Sequence, residues 1–340
     1  VNGANYSFRV PLLAREERDL HQETGHRLAG LFRQLQSDPG LDIVAAFIWI
    51  ARRPRGEQTV TLKSEPNHWV EIRSGKTRYR VVGLDPDLFP KLPTFEDVPF
   101  FAVEPAAVKA MIDKTLPAVC LDETRFNLTG TYVESTDGPG LRMVATDGHR
   151  LALAERTLEA APVLKAGVII PRKGVIEMRR ILDDGEAEAK LGFAGASAVL
   201  EKAGVMLTAR LVDGSFPDYR QVIPTTATRT ALVPRAELMA ALKRTSLLSP
   251  DKSHGVRLDL APGALTLFAN NPDAGEASEE IAVEYDGDGL KIGVNFRYLL
   301  DALGVLPDEK VTLSFVDDLS PIVITGAEPG EKYVAMPMRL

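Results

Sequence analysis

Val168-Ile-Ile-Pro-Arg-Lys-Gly-Val-Ile-Glu177 passes from an apolar strand through a proline directly into a helix, and the chain repeats this passage. Phe101-Ala-Val-Glu-Pro105 does the same, and Ala231-Leu-Val-Pro234 does it again about 130 residues further on. Leu290-Lys-Ile-Gly-Val294 stands about 125 residues beyond Val168 as its counterpart. Phe89-Pro90 and Phe216-Pro217 each close a block of alternating residues, about 127 positions apart. Each block therefore holds two strand–helix units, each followed by short strands with Gly, Asp or Pro turns. Gly185, Asp213-Gly214, Pro262-Gly263 and Asp286-Gly287 supply that punctuation. Apolar spacing places helices at residues 105–115, 172–182, 234–244 and 296–303. Val175, Met178 and Leu182 share one stripe while Lys173, Glu177 and Arg180 share another, and Phe296, Leu299, Leu300 and Leu303 make a second apolar face. Helices of this kind lay one side on a sheet and leave the other in solvent.

A chain of 340 residues is long for one core and divides most naturally into two or three domains. With 45% hydrophobic and 26% charged residues it has an ordinary globular composition. The longest apolar stretch, Leu41 to Ala51, is broken by Asp42 and too short to span a bilayer. The charged N-terminal region contains no secretory signal pattern. One cysteine, Cys120, excludes an internal disulfide and fits a reducing cytoplasm; it reads as a small buried hydrophobe. The net charge of −7 is unlike that of most nucleic-acid-binding domains. The four helices nevertheless carry +1, +3, +2 and 0, so the strands and loops are strongly acidic. Taken alone, this pattern also describes ordinary solvated helix faces.

Five strings carry a family resemblance, in order and at matching spacing. They are Ala145-Thr-Asp-Gly-His-Arg-Leu151, Pro171-Arg-Lys-Gly-Val-Ile-Glu177, Leu211-Val-Asp-Gly-Ser-Phe-Pro-Asp-Tyr-Arg220, Gly293-Val-Asn-Phe-Arg-Tyr-Leu-Leu300 and Tyr333-Val-Ala-Met-Pro-Met-Arg-Leu340. The chain resembles the bacterial DNA polymerase III beta subunit, the beta sliding clamp, over roughly residues 60 to 340. The resemblance implies an α+β DNA-clamp fold: three repeated domains, each with antiparallel sheets outside and two helices inside. Domains are expected at 1–96, 97–224 and 225–340. The implied function is a sliding clamp that encircles duplex DNA without sequence preference and tethers the replicative polymerase and other replication and repair proteins. A head-to-tail homodimer would form a six-domain ring with the helices lining its hole. Lys and Arg facing phosphates give a sequence-independent attraction through counterion release, whereas base-edge contacts would trap a ring that must slide.

By the same resemblance, Arg125, Phe126, Arg172 and Lys173 are the DNA-contact candidates. Asn127 replaces the second aromatic often found at this loop. A cleft for a short partner peptide would be built from Leu128, Thr146, Gly148, His149, Arg150, Leu151, Pro217, Val222, Asn295, Tyr298, Val334, Met336, Pro337, Met338 and Arg339. Leu151, Pro217, Val222, Val334 and Met336 would form its apolar floor, and His149, Arg150 and Asn295 would orient the peptide. Ser253 and Pro321 depart from the family at the rim. Two methionines flanking a stiff proline make an adaptable apolar surface, although the same run also reads as a plain last strand. Leu247 and Leu248 fall on the third-domain side of the dimer interface. Implied partners are double-stranded DNA, the replicative polymerase catalytic subunit, the clamp loader, translesion polymerases, mismatch-repair proteins and a second copy of the chain, with no membrane.

An enzyme reading has little to stand on. Asp147 with His149, and Asp213 with Asp218, lack a third group to orient them, and no nucleophile motif, phosphate loop or His/Cys ligand set accompanies them. No catalytic residue, metal or cofactor is expected, and Asp147-Gly148 reads as a turn. Residues 1–58 do not resemble the family; within them, Glu16 to Gln36 reads as a polar helix and Leu41 to Ala51 as an apolar strand or helix. Together with Val1 in place of Met, the mismatch suggests a truncated or frame-shifted gene start, or a divergent N-terminal variant. The alternative function is accordingly a variant copy that binds partner peptides but does not close a ring.

Overall fold

The structure is a computed structural model that describes residues 58–74, 76–83, 85, 88, 98–158, 164, 166–183, 187–250 and 253–339, with residues 5–10 as strand backbone. The chain forms two compact units, residues 1–96 and 97–340. In the first, β1 (Asn5–Val10), β2 (Gln58–Ser64), β3 (Trp69–Ser74) and β4 (Thr77–Val82) make an antiparallel sheet in that order. Leu62 and Val70 are buried in it. Arg73 and Arg78 both close on the buried Glu71 carboxylate, and Arg80 pairs with Glu65 at 2.7 Å. The stretch without family resemblance thus supplies one strand, β1, to this sheet. The readings of Glu16 to Gln36 and Leu41 to Ala51 lie outside the described residues.

The second unit repeats one pattern four times, a strand and a helix followed by three strands. It begins β5 (Phe100–Val103), α1 (Pro105–Thr115), β6 (Gly130–Ser135), β7 (Gly140–Thr146) and β8 (Arg150–Thr157). Next come β9 (Val168–Pro171), α2 (Arg172–Leu182), β10 (Ala189–Ala194), β11 (Ser197–Lys202) and β12 (Val205–Arg210). The third pass is β13 (Arg229–Pro234), α3 (Arg235–Thr245), β14 (Gly255–Ala261), β15 (Ala264–Asn271) and β16 (Gly275–Ala282). The last is β17 (Leu290–Asn295), α4 (Phe296–Val305), β18 (Lys310–Phe315), β19 (Ile322–Thr325) and β20 (Glu331–Ala335). The helices fall where apolar spacing put them, except that α3 lies one residue later and α4 runs two residues further. Prolines 105, 171 and 234 stand at the starts of α1, α2 and α3, where a fixed φ and a missing N–H cost nothing. Asn295 caps α4, its side chain accepting from the Arg297 N–H at 2.9 Å.

Consecutive passes interlock because their leading strands change places. β5 pairs with β10 while β9 pairs with β6, and β13 pairs with β18 while β17 pairs with β14. Each repeat thereby has two antiparallel sheets, and the helices pack on them and on each other, α1 against β8 and β7 and α2 against β12. Val175, Met178 and Leu182 of α2 are buried, as are Leu299, Ala302 and Leu303 of α4, as their spacing requires. Each buried Val, Met or Leu of these faces contributes about 1.5–3 kcal/mol relative to exposure.

β8 pairs with β20, Leu151 opposite Val334 and Ala152 opposite Tyr333, fusing two four-stranded sheets into one of eight, β13-β18-β19-β20-β8-β7-β6-β9. The helix side of this joint presents Ala145, Ala152 and Ala335, small enough for Ala118 and Val119 beyond α1 to pack close. Here too the Glu331 carboxylate, fully withdrawn from solvent, receives both Lys114 of α1 and Arg156 of β8.

That ion cluster corrects the simple picture of cationic helix faces. Lys114 is buried, Arg179 is tied to Asp113 and Arg244 to Glu279, and Arg235 donates to the carbonyls of Asp308 (2.7 Å) and Leu303 (3.0 Å). Counting charge by helix cannot distinguish a structural cation from a free one. Arg172, Lys173, Lys243 and Arg297 are exposed and form no ion pair with a described residue.

β6 begins at Gly130, opposite Pro171. A Cβ there would lie 2.8 Å from Ile169 Cγ2 and would overlap the Ile170 carbonyl oxygen. Gly130→Ala should therefore cost about 1–3 kcal/mol, since backbone must move to admit the methyl. A lower urea midpoint at constant m-value would show it, and an unchanged midpoint would mean the strand pair separates freely.

Candidate functional site

On the side of the eight-stranded sheet away from the helices, Thr146, Leu151 and Val334 occupy one row of directly opposed residues. Val144, Leu153 and Val323 flank them, and the segment linking β12 to β13 lies over this surface through Tyr219, Phe216 and Ile223. Apolar residues on this face, with more on the helix side, account for the apolar runs Met143-Val-Ala145 of β7 and Leu151-Ala-Leu-Ala154 of β8.

The turn from β7 to β8 forms one rim. The Asp147 carboxylate accepts the N–H groups of His149 (2.9 Å) and Arg150 (3.0 Å), and Gly148 has φ of 86°. Thr146 Oγ1 accepts from the Gly148 N–H at 3.1 Å and donates to the Arg150 carbonyl at 2.6 Å. The expected Asp147-Gly148 turn is therefore present, and the Asp147 carboxylate is spent on holding it. Gly148 and His149 are exposed. The Arg150 guanidinium has several partners within the chain. It pairs with Asp147 at 3.0 Å and with Asp301 of α4, and it stacks over the Tyr298 ring at 4.9 Å. Arg150 is thus a cross-brace between α4 and β8. Burial, then the Asp147 charge, raises the Tyr298 phenol above its usual pKa.

The C-terminal segment adjoins this turn. The Met336 N–H donates to the His149 carbonyl (2.9 Å) and the Met338 N–H to the Gly293 carbonyl (2.9 Å), with Pro337 bridged to Val294. Met336, Pro337 and Met338 are half-buried and Arg339 is exposed. Asn295 and Tyr298 enter from the start of α4. Pro217 and Val222 are exposed on the linker, and Leu128 is buried at the end of the 3₁₀ turn Glu123–Leu128. Residues from five separate segments therefore meet around this joint.

The DNA-contact candidates divide into two kinds. Arg172 and Lys173 open α2 and are exposed; the Arg172 N–H donates to the Thr129 carbonyl at 3.1 Å, which sets the helix start beside the 3₁₀ turn. Arg125 is already engaged, with Asp122 at 3.2 Å and the Asp147 carbonyl at 2.6 Å, so it braces the rim. Phe126 is 56% exposed. Leu247 is 80% exposed on the turn after α3, and Leu248 is half-buried beside it.

Sequence reasoning missed the polar group beneath the linker. Glu134 accepts from Tyr219 Oη (2.5 Å), Arg142 Nη1 (2.8 Å) and Arg220 Nη2 (2.7 Å), while Arg142 also reaches Glu155 at 2.7 Å. Burial pushes the Glu134 carboxyl up, but its three donors outweigh that and leave its pKa below the usual value. Burial, then the Glu134 carboxylate, pushes the Tyr219 phenol up to about 12. The run Phe216-Pro-Asp-Tyr-Arg220 was legible as a motif; its partners on β6 and β7 were not.

Two family models match the chain: the DNA polymerase III beta subunit central domain over residues 102–218 and the C-terminal domain over 220–339. The chain belongs to the beta sliding clamp family. The beta sliding clamp of Caulobacter vibrioides is 37% identical over 273 residues, covering 79% of this chain and 73% of the relative. That of Proteus mirabilis is 38% identical over 272 residues, with the same coverage. Among solved structures, the DNA polymerase III beta subunit of Pseudomonas aeruginosa superposes with a TM-score of 0.78 at 33% identity, covering 87% of this chain and 81% of its own. The Caulobacter crescentus clamp gives 0.79 at 35%, covering 87% and 80%. The clamp fold and the role of a non-catalytic processivity subunit in replication follow from this membership.

Proposed function

We propose that the chain has three tandem clamp domains, 1–96, 97–224 and 225–340, and closes with a second copy into a ring around duplex DNA. The observation carrying this reading is the β8–β20 joint, in which the last strands of neighbouring interlocked units pair. By the same internal symmetry, β16 holds in the third repeat the place β8 holds in the second, and β16 is an edge strand. Long open edges are normally covered. β16 carries exposed Glu276 and Glu280, and β4, an edge strand among the described residues, carries Arg78 and Arg80, which pair with Glu71 and Glu65 of their own sheet. Two edge strands left without a neighbour among the described residues support pairing of β16 with β4 of a second copy, with Leu247 and Leu248 beside it.

Arg172 and Lys173, free of ion pairs among the described residues, are the cations this reading gives to the phosphates, with Phe126 nearby. Replacing both with alanine should make the salt slope of DNA binding shallower by about two units, near one for each phosphate left without its cation. Topology gives the decisive test. A closed ring stays on nicked circular DNA at high salt and leaves when the circle is cut; loss from the intact circle together with a monomeric mass would defeat the closed-ring reading.

The cleft at the β8–β20 joint is assigned to short linear motifs of the replicative polymerase catalytic subunit, the clamp loader, translesion polymerases and mismatch-repair proteins. Its apolar floor at Leu151 and Val334, with the adaptable Met336 and Met338, suits several partners sharing one hydrophobic anchor. Among the described residues no helix is long and apolar enough to cross a membrane. The single buried Cys120 suits the cytoplasm assigned to it.

A further inference from the structure

Pro217 and Val222, the two cleft residues on the linker, are exposed and lie in no regular sheet, so something else must hold them in place. Two anchors do. Phe216 stacks on Tyr132 of β6 with ring centroids 4.8 Å apart and planes within 8°. Tyr219, 3% exposed, turns its hydroxyl onto Glu134, where Arg220 and Arg142 converge. Asp218 tightens the intervening turn, accepting the Arg220 N–H (3.3 Å) and Gln221 Nε2 (3.0 Å). Pro217 lies between the anchors and Val222 directly after the second.

We propose that Glu134, acting through Tyr219 and supported by Arg142, is a positioning residue for partner-peptide recognition. Its carboxylate clamps the interdomain linker to β6 and thereby fixes the Pro217–Val222 wall of the cleft. This inference rests on the cleft assignment above. Glu134 itself is 8% exposed beneath the linker, so it acts through the wall and makes no contact with the peptide. Its hydrogen-bond donors come from β7 and the linker, all on the second-repeat side of the joint. The clamp therefore fixes one wall independently of the C-terminal rim. Because the Tyr219 phenol stays protonated to about pH 12, the donated hydrogen bond persists throughout the working range.

The test is a thermodynamic cycle on the full chain, using a fluorescent peptide copied from a polymerase C-terminal tail. Tyr219→Phe keeps the ring against Tyr132 and Phe216 and removes only the hydroxyl, with the bond it donates to Glu134 and the one it accepts from Arg142 Nη1 (3.1 Å); it should weaken binding about tenfold, as for one hydrogen bond to a charged group. Glu134→Gln should do at least as much. Val222→Ala should also cost about tenfold as a wall contact. Combined with Val222→Ala, however, Tyr219→Phe should add almost nothing, because both changes disable one wall. A merely structural role for Tyr219 would give additive losses, and additivity overturns the proposal. Unchanged affinity in Tyr219→Phe overturns it as well, and that variant remains informative if Glu134→Gln folds poorly. Met336→Ala separates the two ideas: if it weakens binding while Tyr219→Phe does not, the cleft stands and the clamp falls. If neither Met336→Ala nor Val222→Ala weakens binding, the cleft assignment fails and the inference goes with it.

Discussion

Glu331→Gln is expected to lower stability by about 3–5 kcal/mol, the usual cost of breaking a buried ion cluster from one side. The carboxylate has no solvent exposure and holds both Lys114, 10% exposed, and Arg156, 18% exposed. Its neutral isostere leaves two largely buried cations facing each other without compensation. For a unit of this size the shift is roughly 2–4 °C in melting temperature per kcal/mol, so a drop on the order of 10 °C is expected in a thermal scan. Lys114→Met should cost less, because the thioether fills the same space and Arg156 stays on the carboxylate. The order of the two variants is the discriminating result. A Glu331→Gln melt within about 2 °C of the parent would mean that the cations relax to solvent and that the cluster does not hold the β8–β20 joint.

Removing residues 336–340 is expected to abolish most peptide binding while leaving the fold intact. β20 ends at Ala335, so the sheet joint survives the deletion. The deletion takes away the Met336 bond to His149, the Met338 bond to Gly293 and the two thioethers of the rim. A central hot spot contributes about 2–4 kcal/mol, which corresponds to a loss between roughly thirtyfold and a thousandfold in Kd. Fluorescence anisotropy with a polymerase-tail peptide measures it, and a melting curve close to the parent's shows that the loss is local. Parent-like affinity in the truncated chain would place the peptide elsewhere.

These two predictions draw on features with very different visibility in the sequence. The methionines around Pro337 could be singled out directly, because an apolar terminus stands out and the family string continues through it. Glu331 could not. Its partners are Lys114, 217 positions away, and Arg156, 175 away, and each of the three reads alone as an ordinary surface charge. Arg125, singled out by sequence as a DNA-contact candidate, has a further bond that no sequence pattern shows, to the Asp147 carbonyl 22 residues on.

What the amino-acid order determined by itself was local and periodic. The four helices, their proline or asparagine starts, the Asp147-Gly148 turn and the repetition of strand–helix units all follow from forces acting within a few residues. Fixed proline φ, 3.6-residue apolar spacing and short side-chain-to-backbone bonds are of that kind. The exchange of leading strands between units, the fusion of two sheets at β8 and β20, and the clamp of Glu134 on a tyrosine 85 residues away belong to the tertiary structure. Strand edges carry the same backbone donors and acceptors whatever their sequence, so which edges meet is settled only when the cores on both sides are buried together. Only that meeting decides which cations become structural and which stay free for phosphate.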